Sequence, residues 1–237
     1  MQKRVVKILK NKIKVIVVAF ATIILLVSGV AFIGCTPSYE RLANLITELR
    51  ENIFEGENER FLVSIITGLR EDPFLMDGNV GTVREFTLIT LTPKVEVAGR
   101  VAVRARINET LFSGEFTPHP FSQTLSIEFP VRSVGQEITL QLTYSEIEQT
   151  ITAKSLLTEQ MIGYQRALEI AENKLRNSIE IFKVGGELRC EIFIRLIANQ
   201  IDNAGGLHWY VAFIGSDQTI FAVLIDPITM QVVAIRN

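Results

Sequence analysis

The sequence predicts a mainly β protein of α+β type: a β-sandwich followed by a small domain in which one helix lies on an antiparallel sheet. Three observations carry this. From Phe61 to about Leu157 the apolar residues recur with period two, broken by turn-forming residues. A stretch near 158–176 then repeats its apolar residues at helical spacing, and further period-two runs follow it to the end of the chain. With 237 residues, 48% hydrophobic and 21% charged, and a mean hydropathy of +0.28, the chain has ample apolar surface for a core and is not a disordered segment. The 24 Lys and Arg against 26 Asp and Glu leave no basic excess, which argues against a nucleic-acid partner.

At the amino terminus, Lys3, Arg4, Lys7, Lys10, Lys12 and Lys14 precede an uncharged apolar segment, Val15 to Ile33. A cationic start followed by a segment long enough to cross hydrocarbon places the beginning in the cytoplasm and the rest outside it. The segment ends Phe32-Ile33-Gly34-Cys35, which resembles the lipobox of bacterial lipoproteins. The resemblance implies a diacylglycerol on the Cys35 thiol and cleavage between Gly34 and Cys35, so that 1–34 is a signal peptide. Phe32 stands where the family usually has Leu, and the apolar run exceeds the roughly 7–15 residues of a cleaved signal. An uncleaved transmembrane anchor and an unlipidated structural cysteine therefore stay open. Loss of 1–34 leaves 18 cations against 26 acids, a net charge of −8. Such an acidic domain is repelled by anionic headgroups, so the anchor must supply the membrane affinity.

Residues 35–60 read as the acylated cysteine, an amphipathic helix and a linker. Leu42, Leu45, Ile46, Leu49 and Ile53 fall at helical spacing, with Glu40, Arg41, Glu48, Arg50 and Glu51 on the other face and Ser38 as N-cap. Glu55-Gly56-Glu57-Asn58-Glu59-Arg60 reads as the solvated linker.

Residues 61–157 read as the sandwich. Phe61, Val63 and Ile65 open it, and a strand-like run from Thr82 to Thr92 follows the Asp77-Gly78 turn pair. Val95, Val97, Val101, Val103, Ala105 and Ile107 then share one face, with Arg100, Arg104 and Arg106 on the other. Leu111 to Phe116, Leu125 to Phe129, Ile138 to Tyr144 and Ile147 to Ala153 complete the set, with Asn108-Glu109 and Ser145-Glu146 as short connections. About seven short strands at this spacing predict an immunoglobulin-like β-sandwich without the disulfide of antibody domains.

Residues 158–237 read as the helix-on-sheet domain. A helix from Thr158 to Arg176 buries Tyr164, Leu168, Ala171 and Leu175. After Gly185-Gly186, the strands are Leu188 to Leu196, Trp209 to Ile214, Ile220 to Ile225 and Val232 to Ile235. Ala167 to Ala171, Trp209 to Phe213 and Phe221 to Asp226, followed by Thr229 and Val232-Val233, are similar to the PepSY domain family. Met230 stands where that family commonly has a turn glycine. The resemblance implies an envelope setting and a peptidase as the class of partner.

The chain is poor in catalytic patterns. His119 and His208 are the only histidines, so no two lie one helical turn apart around a glutamate, and no nucleophile elbow or phosphate-binding glycine loop is present. His119, in Thr117-Pro118-His119-Pro120, reads as a turn residue, and His208 as a neighbour packed on Trp209. Glu71, Asp72, Asp77 and Asn79 read as turn chemistry in preference to a calcium loop. Cys190, alternating with Leu188, Ile192 and Ile194, reads as a buried small hydrophobe. Trp209 and Tyr210 are the candidate exposed binding aromatics, one of the two filling the core. The expectation is a non-enzymatic, extracytoplasmic lipoprotein on the cell membrane, without metal or cofactor, that binds or modulates another envelope protein. A structural envelope component and a hydrolase with an unrecognised site are the alternatives.

Overall fold

Strand β1 (Ile46–Glu57) joins everything else, because its two edges are shared among three neighbours. The computed structural model describes residues 41–97, 99–198 and 206–237. Along one edge β1 pairs with β2 (Phe61–Glu71), antiparallel, over nearly its whole length. Its other edge is divided: Ile46 to Arg50 pair in parallel with β12 (Glu191–Ala198), and Phe54 and Glu55 pair with β9 (Ile147–Ser155).

From β2 the sheet continues through β3 (Val83–Pro93) and β7 (Leu125–Phe129) to β6 (Thr117–Pro118). From β9 it continues through β8 (Glu137–Tyr144) and β4 (Ala102–Ile107) to β5 (Thr110–Glu115). Beyond β12 lie β13 (Leu207–Ile214), β14 (Ile220–Ile225) and β15 (Val232–Arg236). A separate hairpin, β10 (Lys183–Val184) with β11 (Glu187–Leu188), follows α1 (Tyr164–Ile179), the α-helix that lies wholly within the described residues. The fold is mainly β, with a nearly closed, almost wholly antiparallel sheet.

Two cores form on this sheet. Phe54, Phe61, Ile65, Leu91, Ile107, Leu140 and their neighbours fill the first, enclosed by the strands of 61–157. The second joins Leu49 and Ile53 to Ala167, Leu168, Ala171 and Leu175 of α1 and to Ile194, Trp209, Phe213 and Val223. Ile53 and Phe54, adjacent in sequence, belong to different cores, as the alternation of a strand requires.

Most expected elements stand within a few residues of their expected bounds. Asn108 and Glu109, like Ser145 and Glu146, both have positive φ, so these two-residue connections are hairpin turns whose twist matches the strands they join. Four expectations need correction. The helix expected from Ser38 to Ile53 is instead strand from Ile46 onward; its beginning, 38–40, lies outside the described residues. Leu45, Leu49 and Ile53 fit a helical stripe, but a strand flanked on both edges satisfies its backbone groups through neighbours, and that pairing prevails. The linker expected at 55–60 contracts to a turn in which Asn58 Oδ1 accepts from the amides of Arg60 and Phe61 at 2.9 and 2.8 Å. The helix expected from Thr158 begins at Tyr164, because Ile162 is engaged elsewhere: its amide donates to Pro227 O at 2.8 Å and its carbonyl accepts from Trp209 Nε1 at 2.9 Å. Val95 is exposed and lies before β4, which starts at Ala102.

The turn from β14 to β15 carries a strained residue. Asp226 Oδ1 accepts from the amides of Ile228 and Thr229, which holds its carboxyl below the usual range, and Met230 closes the turn with φ of +62°. A side chain in the left-handed region is unfavourable where glycine is not. Met230→Gly should therefore stabilise the fold by about 1 kcal/mol, read as a rise in Tm of about 2–4 °C.

Candidate functional site

The segment 72–82, between β2 and β3, exposes three consecutive large apolar side chains. Phe74, Leu75 and Met76 are 46%, 57% and 39% exposed. It is clamped by carboxylates at the ends of the two strands that flank β1. Glu71 Oε1, at the end of β2, accepts from the amide of Gly81 at 2.6 Å. Glu191, fully buried at the start of β12, accepts from the amide of Gly78 at 2.9 Å through Oε1 and from Thr47 Oγ1 at 2.6 Å through Oε2. Asp77 Oδ1 accepts from the amide of Asn79, Asp72 pairs with Arg84, and Arg189 donates to Asn79 Oδ1. Charge-assisted bonds to backbone amides are among the stronger ones available to a loop, so its tip is held outward on a fixed base.

The tip continues into an aromatic patch on the sheet face opposite α1. Phe74 meets Phe193 edge-on, with centroids 5.8 Å apart, and the Arg195 guanidinium lies 4.7 Å from the Phe193 centroid. Arg195 pairs across strands with Tyr210, and Phe193, Tyr210 and Ile220 surround the buried Ala212, Ile214 and Ala222. Between loop and sheet lies a cleft of about 320 Å³, floored by Thr47, Glu48, Arg70 and Glu71 and walled by Phe74 and Phe193. Arg195 binds Glu48 at 2.6 Å and Arg70 binds Glu128 at 2.6 Å, so its cations are compensated. Burial raises the Glu48 carboxyl, but Arg195 and Arg50 outweigh it and hold the group below the usual range. Glu71 Oε2 is buried with no hydrogen-bond partner.

This arrangement offers aromatic faces, an apolar tip and a guanidinium, the side-chain types that dominate protein recognition. Among the described residues the shortest hydroxyl-to-carboxylate hydrogen bond, Thr47 Oγ1 to Glu191 Oε2 at 2.6 Å, is buried inside the protein. Among the described residues no three His, Cys, Asp or Glu side chains converge as a metal site, and no helix is long and apolar enough to cross a membrane.

Of the residues singled out in the sequence, Gly34, Cys35 and the apolar segment 15–33 lie outside the described residues. Trp209 needs correction as an exposed aromatic: it is 1% exposed and packs beneath α1. Tyr210, pointing the other way, is half-buried in the aromatic patch. His119 is exposed, and its Nδ1 accepts from the amides of Phe121 and Ser122 at 3.2 Å, the geometry of a turn residue. His208 is the second residue of β13, opposite Ile197. Cys190 is buried, and burial, reinforced by Glu191, pushes its thiol up to about 12, so it stays protonated at neutral pH. Arg100, in the arginine row, pairs with Glu115.

Phe74, Leu75 and Met76 were not singled out, although three large apolar residues between the turn pairs Asp72-Pro73 and Asp77-Gly78 are a visible signal in the sequence. No protein-family model, curated protein or solved structure matches the chain.

Proposed function

We propose that this protein is a membrane-tethered, extracytoplasmic binding module that engages another envelope protein through Phe74, Leu75 and Met76 and the adjoining Phe193, Arg195 and Tyr210. One observation carries the reading: a run of large apolar side chains is exposed on a loop whose backbone, at Gly78 and Gly81, is held by carboxylates, one of them fully buried. Exposing such a run is unfavourable for an isolated protein, and burying it against a partner removes that penalty.

The cationic start, the apolar segment 15–33 and Gly34-Cys35 support a lipid anchor on Cys35. Period-two strands joined by tight hairpins support the immunoglobulin-like reading of 61–157, and α1 lying over β13 and β14 supports the PepSY-like reading of 158–237. The latter resemblance makes a peptidase the first partner class to examine.

The test is photo-crosslinking in intact cells, with benzoylphenylalanine introduced in place of Leu75 or, as control, of exposed Leu111 on β5. The expected result is one crosslinked envelope protein from position 75 and none from 111. Leu75→Asp should weaken the purified complex about tenfold, as loss of an apolar anchor does. Equal labelling from both positions, or none from 75, would overturn the proposal.

A further inference from the structure

Near the point where the described chain begins, the surface carries a second exposed apolar feature with a different chemical setting. The 3-10 turn Glu180–Phe182 and the β10–β11 hairpin present Ile181 and Val184, 65% and 67% exposed. Gly185 and Gly186, both left-handed, form the hairpin tip and add no side chain there. Arg41, Arg176, Lys183 and Arg189 line one cleft of about 780 Å³ beside this hairpin.

Three of these cations neutralise the carboxylates of the same cleft. Arg41 pairs with Glu172 at 3.4 Å, Lys183 with Glu180 at 2.6 Å and Arg189 with Glu187 at 3.1 Å. Arg176 donates to the amide oxygen of Asn173, so the cleft keeps one cation in excess although the exported chain as a whole is acidic. Apolar tips beside lysine and arginine stems suit the boundary between headgroups and acyl chains, where the stems lie along hydrocarbon and the charges reach phosphate.

Covalent connection supplies the second argument. Six residues lead from Cys35 to Arg41, and a chain spans at most about 3.6 Å per residue, so the cleft lining at Arg41 lies within about 20 Å of Cys35. We infer that Ile181 of the 3-10 turn and Val184 of the β10–β11 hairpin enter the interface of the bilayer that holds Cys35, and that Arg176, the cation the cleft leaves in excess, meets lipid phosphate there. This rests on the tether at Cys35. The consequence is orientation: a protein held by the anchor and the hairpin presents one side to the membrane instead of swinging freely.

The experiment uses the full chain, purified in detergent and reconstituted into vesicles of phosphatidylcholine and phosphatidylglycerol with or without brominated acyl chains. Tryptophan is introduced as Val184→Trp or, as control, as Phe121→Trp. Phe121 is 94% exposed and lies between β6 and β7, strands at the end of the strand order opposite β15 and in a different sheet from the hairpin. The buried Trp209 contributes the same background to both. Emission from position 184 should shift to shorter wavelength on reconstitution and be quenched by bromine, while position 121 stays unchanged. Co-flotation with vesicles but no quenching at 184, the result expected if the hairpin instead docks on a protein, would overturn the inference and leave the tether standing. Quenching at 121 alone would likewise overturn it. If the chain fails to float at all, the tether and the inference fall together.

Discussion

Replacing Gly68 with alanine should destabilise the protein by about 3 kcal/mol or more, a large fraction of the roughly 5–15 kcal/mol that ordinarily holds a domain folded. Gly68 on β2 pairs with Arg50 on β1, beside the register shift between Arg50 and Asn52. A Cβ at position 68 would lie 1.7 Å from the carbonyl oxygen of Leu49, 2.8 Å from its carbonyl carbon and 3.2 Å from the Arg50 Cα. These are backbone atoms, so no rotamer change relieves the clash. β1 would have to move away, but it is held by β2 on one edge and by β12 and β9 on the other. Leu49 and Phe54, one in each core, would move with it. Denaturant unfolding followed by circular dichroism checks this. Gly135→Ala is the control, because its nearest contact, Glu137 O, is 3.6 Å away, and it should stay within about 0.5 kcal/mol of the parent. A Gly68→Ala protein of parental stability would mean that β1 and β2 do not approach as described.

Glu191→Ala should cost about 2–4 kcal/mol and release the loop that carries Phe74, Leu75 and Met76. The substitution leaves the Gly78 amide and the Thr47 hydroxyl without the oxygens they donate to, and each orphaned buried donor costs about 1–3 kcal/mol. Glu191→Gln separates hydrogen bonding from charge. Its amide oxygen can accept from Gly78, and its NH₂ can donate to a reoriented Thr47 hydroxyl, so the glutamine protein should remain near parental stability. Limited chymotrypsin digestion reads the loop directly, since Phe74, Leu75 and Met76 are the side chains that protease prefers. Cleavage there should accelerate in the alanine protein and not in the glutamine protein, with crosslinking through position 75 lost in parallel. Parental cleavage kinetics in both would show that Glu191 does not hold the loop.

The candidate site shows why a sequence yields some parts of this protein and withholds others. Trp209 and Tyr210 are adjacent, so one of them must enter the core, but only the covering of one sheet face by α1 decides that it is Trp209. Glu191 lies unremarked within the expected strand Leu188 to Leu196 until Thr47 and Gly78, far away in sequence, close over it. Turn chemistry at Asp77 and Gly78 was legible because an Asx turn is local, and the Asp77–Asn79 bond spans two residues. The anchoring of the same turn was not, because its partner lies 113 residues away.

What the sequence determined alone is whatever depends on neighbours a few residues apart. Alternation in β2, β4, β8 and β9, the positive-φ hairpins at Asn108-Glu109 and Ser145-Glu146, and the stripe of α1 each satisfy local geometry first, and the tertiary fold accepts them. Tertiary structure decided what depends on edges and coverings. Residues 46–57 carry apolar spacing that suits either a helix or a strand, and a parallel neighbour in β12 with an antiparallel neighbour in β2 made them the strand that links both cores. The physical reason is that backbone hydrogen bonds to partners far along the chain appear only once those partners are in place.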